Sequence, residues 1–294
     1  MFTRCASLWK MVSVAALLAG YAIASTAVPG TLNYLEGQVT SSGQTLTSKS
    51  AGSVQVGQNQ VLQTSQGRAE MLLTPGAFLR VGDNSAVRMI SPNLMDTRVE
   101  VMRGQAMVEV AQLFKENQIR VQMGGASTML TKAGLYAFNA DRGMVSVFDG
   151  KAEVTRDDQQ VELKKGREVS LQGPLKAEKF DRDAAHDSLY AWSSLRSKYE
   201  AQASMQSARM YVAGGPGWYG PGWYWNPWWD MYGFVPGAGI AYSPFGWPFY
   251  SPIVVYRVPV FRSSGRSRVV APAPAMRSGG FARGAPMGRT GVRH

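Results

Sequence analysis

The side chains able to do chemistry in this chain are few and scattered. There are two histidines, His186 and the terminal His294, and one cysteine, Cys5. No His-Glu-x-x-His, Gly-x-Ser-x-Gly, Gly-x-Gly-x-x-Gly or phosphate-loop pattern occurs, so the common metal, acyl-transfer and nucleotide sites lack their ligands and turns. The carboxylates Glu70, Asp83, Glu100, Glu109, Asp149 and Glu153 alternate with apolar neighbours. That places them on a solvated sheet face rather than as the facing pair a glycosidase needs. Asp157-Asp158 and Asp181-x-Asp183 do not match a loop of correctly spaced calcium oxygens. No catalytic, cofactor-binding or metal-ligating residue is assigned, no cofactor is expected, and the reading is of a protein that is not an enzyme.

Binding chemistry is better represented, and it lies toward the C-terminus. Gly215-Pro216-Gly217-Trp218-Tyr219 is followed at once by Gly220-Pro221-Gly222-Trp223-Tyr224. Six of the eight tryptophans fall between 218 and 247. Trp218, Trp223, Trp225, Trp228 and Trp229 are the candidate binding aromatics. Such rings stack on sugars, sit at membrane–water interfaces or anchor protein contacts. Left in water they would invite aggregation, so they either fold back on their own domain or meet a partner. Farther on, residues 231–294 hold eight arginines and no acidic residue. Arg262, Arg266, Arg268, Arg277 and Arg283 are candidate contacts for polyanions, with a solubilising disordered tail as the competing reading.

The elements that would carry these residues are read from periodicity. From Val54 to Leu171 short apolar–polar alternations are cut by glycines. Ala69, Met71 and Leu73 share one face, as do Ala77, Leu79 and Val81, and Ala106, Val108 and Val110. Period two over segments of about 4–6 residues argues half-buried strands and an all-β region. The charged-Gly-polar punctuation at Glu36-Gly37-Gln38, Arg103-Gly104-Gln105, Asp149-Gly150-Lys151 and Lys165-Gly166-Arg167 suits a degenerate β-solenoid or a layered sandwich. Residues 181–207 read as one amphipathic helix with Leu189, Trp192, Leu195 and Tyr199 as its apolar stripe. Recurrent proline in 214–256 excludes helix and central strand there.

Four stretches carry a resemblance: Gln66-Gly67-Arg68-Ala69-Glu70-Met71-Leu72-Leu73, Gly76-Ala77-Phe78-Leu79-Arg80-Val81-Gly82-Asp83-Asn84-Ser85-Ala86-Val87, Val99-Glu100-Val101-Met102-Arg103-Gly104-Gln105-Ala106 and Val145-Ser146-Val147-Phe148-Asp149-Gly150-Lys151-Ala152-Glu153-Val154. Together they make residues 54–172 resemble a FecR-type domain, the extracytoplasmic module of that family of bacterial envelope proteins. The resemblance implies a β-rich, solenoid-like fold. Its best-known members are anti-sigma regulators with a cytoplasmic segment before a membrane helix. Here only ten residues precede the apolar run, and Gly134-Leu135-Tyr136-Ala137-Phe138 stands where many members have Gly-Thr-x-Phe. The signalling role is therefore not carried over.

The leader fits export. Arg4 and Lys10 precede an apolar run over residues 11–23, and small residues lead to Ala24 and Ala27 as candidate cleavage positions. An uncleaved anchor is the competing reading. With Cys5 in the leader, the mature chain has no thiol and no disulfide.

The expected organisation is then a signal peptide (1–27), a lead-in (28–53), a FecR-like β-solenoid or layered β domain (54–172), a helix (181–207), a Gly/Pro/Trp/Tyr-rich segment (214–256) and an Arg-rich disordered tail (257–294). The expected role is an exported, non-enzymatic envelope protein acting as a binding or scaffolding module. Its partners would be an envelope polysaccharide, an anionic lipid surface or an envelope protein, with nucleic acid disfavoured by export. The alternatives are a membrane-anchored extracytoplasmic signalling module and a polysaccharide-active enzyme on a β-helical scaffold.

Overall fold

A computed structural model describes residues 27–212 and 218–255. The strands are β1 (Leu32–Ser41), β2 (Gln44–Leu46), β3 (Val61–Leu72), β4 (Ala77–Val81), β5 (Ala86–Asn93), β6 (Asp96–Arg103), β7 (Gln105–Val110), β8 (Gln118–Met123), β9 (Ala126–Leu130), β10 (Gly134–Asn139), β11 (Met144–Asp149), β12 (Lys151–Arg156), β13 (Gln159–Lys164), β14 (Arg167–Ser170) and β15 (Glu178–Lys179). Helix α1 (Ser188–Val212) follows. Then come two short ribbons, β16 (Gly222–Asn226) with β17 (Met231–Val235) and β18 (Ile240–Tyr242) with β19 (Pro248–Tyr250), and a final turn of helix, α2 (Pro252–Val255).

The first fifteen strands form one sheet in the order β13-β12-β9-β8-β6-β5-β3-β4-β7-β10-β11-β14-β15, with β1 on β3 and β2 on β1. This corrects the expected β-solenoid. Solenoid coils stack successive strands in parallel, whereas here the sheet is open and only β6 and β8 pair in parallel; the other ladders are antiparallel. The physical reason lies in the turns. Ser42-Gly43 joins β1 to β2 with φ of 49° and 82°, and Gly124-Gly125 joins β8 to β9 with φ of 54° and 78°. Two consecutive residues at positive φ give a two-residue hairpin that returns the chain against itself. These two-residue turns reverse the chain into antiparallel hairpins instead of stacking coils.

One face of the sheet carries the alternation read from sequence. Ala69, Met71, Leu79, Val81, Val108 and Val110 join a single apolar cluster that also takes Val121, Phe138, Val145, Val154 and Val169. The lead-in contributes to the same cluster through Leu32, Leu35 and Val39 of β1.

The second face of β3, β4 and β7 is also covered. All five residues of β4 are buried, alternate residues included. The cover is α1 together with β16–β19. Asp187 caps the helix: its Oδ1 accepts the backbone N–H of Tyr190 at 2.8 Å. Asp181, six residues earlier, instead closes a separate turn by accepting from Asp183 and Ala184. The buried side of α1 is largely small or polar, including Ser193, Ser197, Ala201, Ala203, Ser204, Ser207 and Ala208. Small residues let the backbone of β17 approach. A Cβ on Gly233 would stand 2.9 Å from the Ser204 nitrogen, so only glycine fits there.

Candidate functional site

The chemistry-bearing side chains converge between the second sheet face and α1. Glu70 on β3 and Arg80 on β4 are cross-strand partners, and Glu109 on β7 lies on the same face, one register step away. Arg80 Nε donates to Glu70 Oε2 at 2.8 Å, and its Nη1 donates to Glu109. From the helix, Arg196 Nη2 donates to Glu70 Oε1 at 2.8 Å, and Ser197 Oγ donates to Glu109 Oε1 at 2.8 Å. The Ser197 hydroxyl also bonds Ser243, and the Arg196 guanidinium lies 4.0 Å from the Tyr34 ring centre. Glu70, Arg80, Glu109 and Glu200 have no solvent exposure.

Asn33 links this cluster to the aromatic segment. A register shift in β1 between Leu32 and Tyr34 sets Asn33 apart from the regular pairing. Its side-chain amide then behaves like a strand edge toward β17. Oδ1 accepts the Tyr232 N–H at 2.8 Å, and Nδ2 donates to the Tyr232 carbonyl at 3.1 Å. Nδ2 also donates to Glu70 and to Glu200 of the helix. Three elements distant in sequence are thereby tied at one buried point.

The charges balance only if one proton is kept. Two guanidiniums face three carboxyl groups, and a net buried charge is costly. Burial raises the Glu200 carboxyl well above its ordinary value, and the neighbouring Glu70 raises it further. Burial acts on Glu70 in the same direction, but Arg196 and then Arg80 override it and hold Glu70 at about 2. The stability contributed by neutral Glu200 is fully present below its unfolded value of 4.5 and is lost as pH rises through its raised folded-state value. The Glu70 contribution runs the other way: present above 4.5, lost as pH falls toward about 2. The midpoint of thermal unfolding should therefore fall as pH rises from 4.5 toward the raised Glu200 value. Glu200→Gln should flatten that fall; an unchanged slope in the variant would refute the assignment of the proton to Glu200.

The acidic residues read as a solvated sheet face divide in the structure. Glu70 and Glu109 are internal, while Glu100 pairs with Arg88 and Asp83 with Arg68 nearer the surface. Three of the carboxylates lining the surface clefts have structural partners. A cleft of about 240 Å³ near the start of α1 is lined by Glu168, which accepts from Ser146, and by the helix cap Asp187. In a second cleft, of about 160 Å³, Asp149 pairs with Lys165 at 3.0 Å. His186 stacks on Tyr190 with ring centres 3.8 Å apart. No group of three or more His, Cys, Asp or Glu side chains able to hold a metal occurs among the described residues.

The candidate aromatics occupy different settings. Trp223 is buried against Phe78 at 4.9 Å and Phe234 at 5.8 Å. Trp225 packs on Tyr232 and lies against Gly52. Trp218 is half-buried beside Ala208, Val235 and Val255. Trp229 packs on Tyr199 of the helix and donates through Nε1 to Gln206 Oε1 at 2.7 Å. Trp228 is 70% exposed. Ala27 is half-buried beside the aromatic cluster. Ala24 and Arg262, Arg266, Arg268, Arg277 and Arg283 lie outside the described residues. Among those residues no helix is long and apolar enough to cross a membrane.

Sequence reasoning missed Asn33, Arg80, Arg196, Ser197 and Glu200. A signal was present: Leu72 and Phe78 share the face of Glu70 and Arg80, and large apolar side chains on a polar face announce a cover.

Comparison with known proteins bears on the sheet. The family model described as FecR protein matches residues 60–153, so the chain carries a FecR-domain region. That match supports an extracytoplasmic, envelope setting. No curated protein matches the chain. Two crystal structures of candidate anti-sigma factors from Parabacteroides distasonis are similar to it. One is 16% identical over 42% of this chain, with a TM-score of 0.36. The other is 15% identical over 46%, with a TM-score of 0.38. The chain spans 60% and 64% of their respective lengths.

Proposed function

We propose that the protein is exported after removal of residues 1–27 and acts as a binding or scaffolding module of the cell envelope. The observation that carries this reading is the internal use of its charged groups. Glu70, Arg80, Glu109 and Arg196 serve to fasten α1 onto the FecR-like sheet, and Asn33 ties β17 to it, so contact with partners falls to outward-facing groups and to the arginines of 257–294. Each arginine close to an anionic surface contributes about 1 kcal/mol before screening. The partner is then an envelope component met through aromatic and cationic contacts.

Retention of the purified chain on cell-wall and outer-membrane fractions tests this. The full chain should be held, and a chain ending at Val258, which keeps every described element, should be held less and lose most of the salt dependence. Equal retention of the two would remove the arginines from the account; failure of the full chain to be retained would remove the module.

The FecR match itself favours a second reading, a membrane-anchored extracytoplasmic signalling module. Sequencing the N-terminus of the cellular protein separates the two: an intact leader in the membrane fraction favours the anchor, and a mature end near Ser25 or Val28 excludes it.

A further inference from the structure

A cleft of about 650 Å³ opens between two connections of the sheet, residues 111–117 joining β7 to β8 and residues 131–133 joining β9 to β10. Both connections are pinned by the backbone. The Ala111 N–H donates to the Gly76 carbonyl at 2.8 Å, and the Asn117 N–H donates to the Phe114 carbonyl at 3.0 Å. Thr131 donates twice to the Lys151 carbonyl, through its N–H and its Oγ1, each at 3.0 Å. The walls are therefore formed before any ligand arrives, and the volume falls within the usual range of small-molecule sites, about 300–1,000 Å³.

The lining sets three requirements. Leu113, Phe114, Met129 and Leu130 make an apolar wall, and Leu113 and Leu130 join it to the main apolar cluster. Lys115 and Lys132 line the same cleft, one from each connection, and both are exposed. The lysines paired with carboxylates are Lys151, Lys164 and Lys165; Lys115 and Lys132 are not among them. No acidic residue lines the cleft, and Glu116 in the first connection lies outside the lining. Gln112 adds an amide whose buried Oε1 has no hydrogen-bond partner among the described residues. A buried acceptor without a donor is costly, so a fitting ligand supplies an O–H or N–H there. Free phosphate would leave the apolar wall uncovered, and an ionised fatty acid carries no donor for Gln112. A single acyl chain with a phosphate and a glycerol hydroxyl meets all three requirements.

We propose that this cleft binds a single-chain anionic phospholipid with a glycerol head group. The chain lies against Phe114 and Met129, the phosphate is held by Lys115 and Lys132, and a glycerol hydroxyl donates to Gln112. This goes beyond the envelope-module reading, because it gives the sheet a ligand of its own and makes no use of the arginines of 257–294. Calorimetric titration of the full chain with dodecanoyl lysophosphatidylglycerol, kept below its micelle concentration, tests it. Binding should saturate. Lys115→Gln combined with Lys132→Gln should weaken it about tenfold, and Phe114→Ala should do the same through lost apolar contact. Lys179→Gln, at an exposed lysine of β15 outside the cleft, should leave the affinity unchanged, which separates the site from general attraction to cations. Dodecyl maltoside, which has the chain without the charge, should bind about tenfold more weakly than the phospholipid. Absence of saturable binding, unchanged affinity in either cleft variant, an equal loss in Lys179→Gln, or dodecyl maltoside bound as tightly would overturn the proposal. If envelope fractions still hold the chain while the phospholipid fails to bind, the cleft falls and the envelope module stands.

Discussion

Replacing Arg80 with methionine lowers the stability of the folded chain by about 3–5 kcal/mol, the usual cost of breaking a buried ion pair from one side. The side chain has no exposure and serves two carboxylates, Glu70 at 2.8 Å and Glu109. Methionine supplies the bulk but not the charge, so Glu109 keeps only the Ser197 hydroxyl among its side-chain partners described here. Glu70 would still have Arg196 and Asn33. Adding Glu109→Gln to Arg80→Met should therefore recover part of the loss, because the stranded charge goes with it. Chemical denaturation followed by far-ultraviolet circular dichroism measures both. An Arg80→Met protein as stable as its parent would show that the cluster is incidental to folding.

Ending the chain at Val212 removes β16–β19 and should prevent independent folding. Phe78 of the sheet packs on Trp223 at 4.9 Å and on Phe249 at 6.2 Å, and Phe234 closes the group. Burial of a large apolar side chain contributes about 1.5–3 kcal/mol. Losing Trp223, Phe234 and Phe249 and uncovering Phe78 thus removes on the order of 10 kcal/mol, comparable with the whole stability of a domain. The truncated chain should bind a hydrophobic dye and associate on a sizing column, whereas a chain ending at Val258 should remain monodisperse and fully stable. A monomeric chain ending at Val212 with an unchanged denaturation midpoint would contradict the role given to the aromatic segment.

Much of the sheet was legible in sequence, and the reasons for the rest are local. Alternation correctly sorted Ala69, Met71, Leu79, Val81 and Val108 onto one face, because strand geometry fixes side chains at period two. Alternation says nothing of what covers the other face, so Glu70 and Glu109 were read as solvated when they are internal. The solenoid reading failed because glycine punctuation serves parallel coils and antiparallel hairpins alike. The two-residue turns at Ser42-Gly43 and Gly124-Gly125 were the discriminating detail. In α1, Leu189 and Trp192 are buried but Leu195 is 46% exposed. Hydrophobic periodicity could not reveal a helix face made of Ser193, Arg196, Ser197, Glu200 and Ser204, since its partner surface is polar as well. Asn33 was invisible for a related reason: its function depends on a register shift in β1 and on Tyr232, 199 residues later.

The central claim is that α1 and the aromatic ribbon are part of one cooperative unit with the FecR-like sheet. Native-state hydrogen exchange of the full chain tests it most directly. Amides of Tyr232 and Phe234 on β17 and of residues 193–208 on α1 should exchange with the same opening free energy as those of β3, β4 and β7. If the β17 and α1 amides exchange early while the sheet stays protected, the aromatic ribbon is an appendage and the account is wrong.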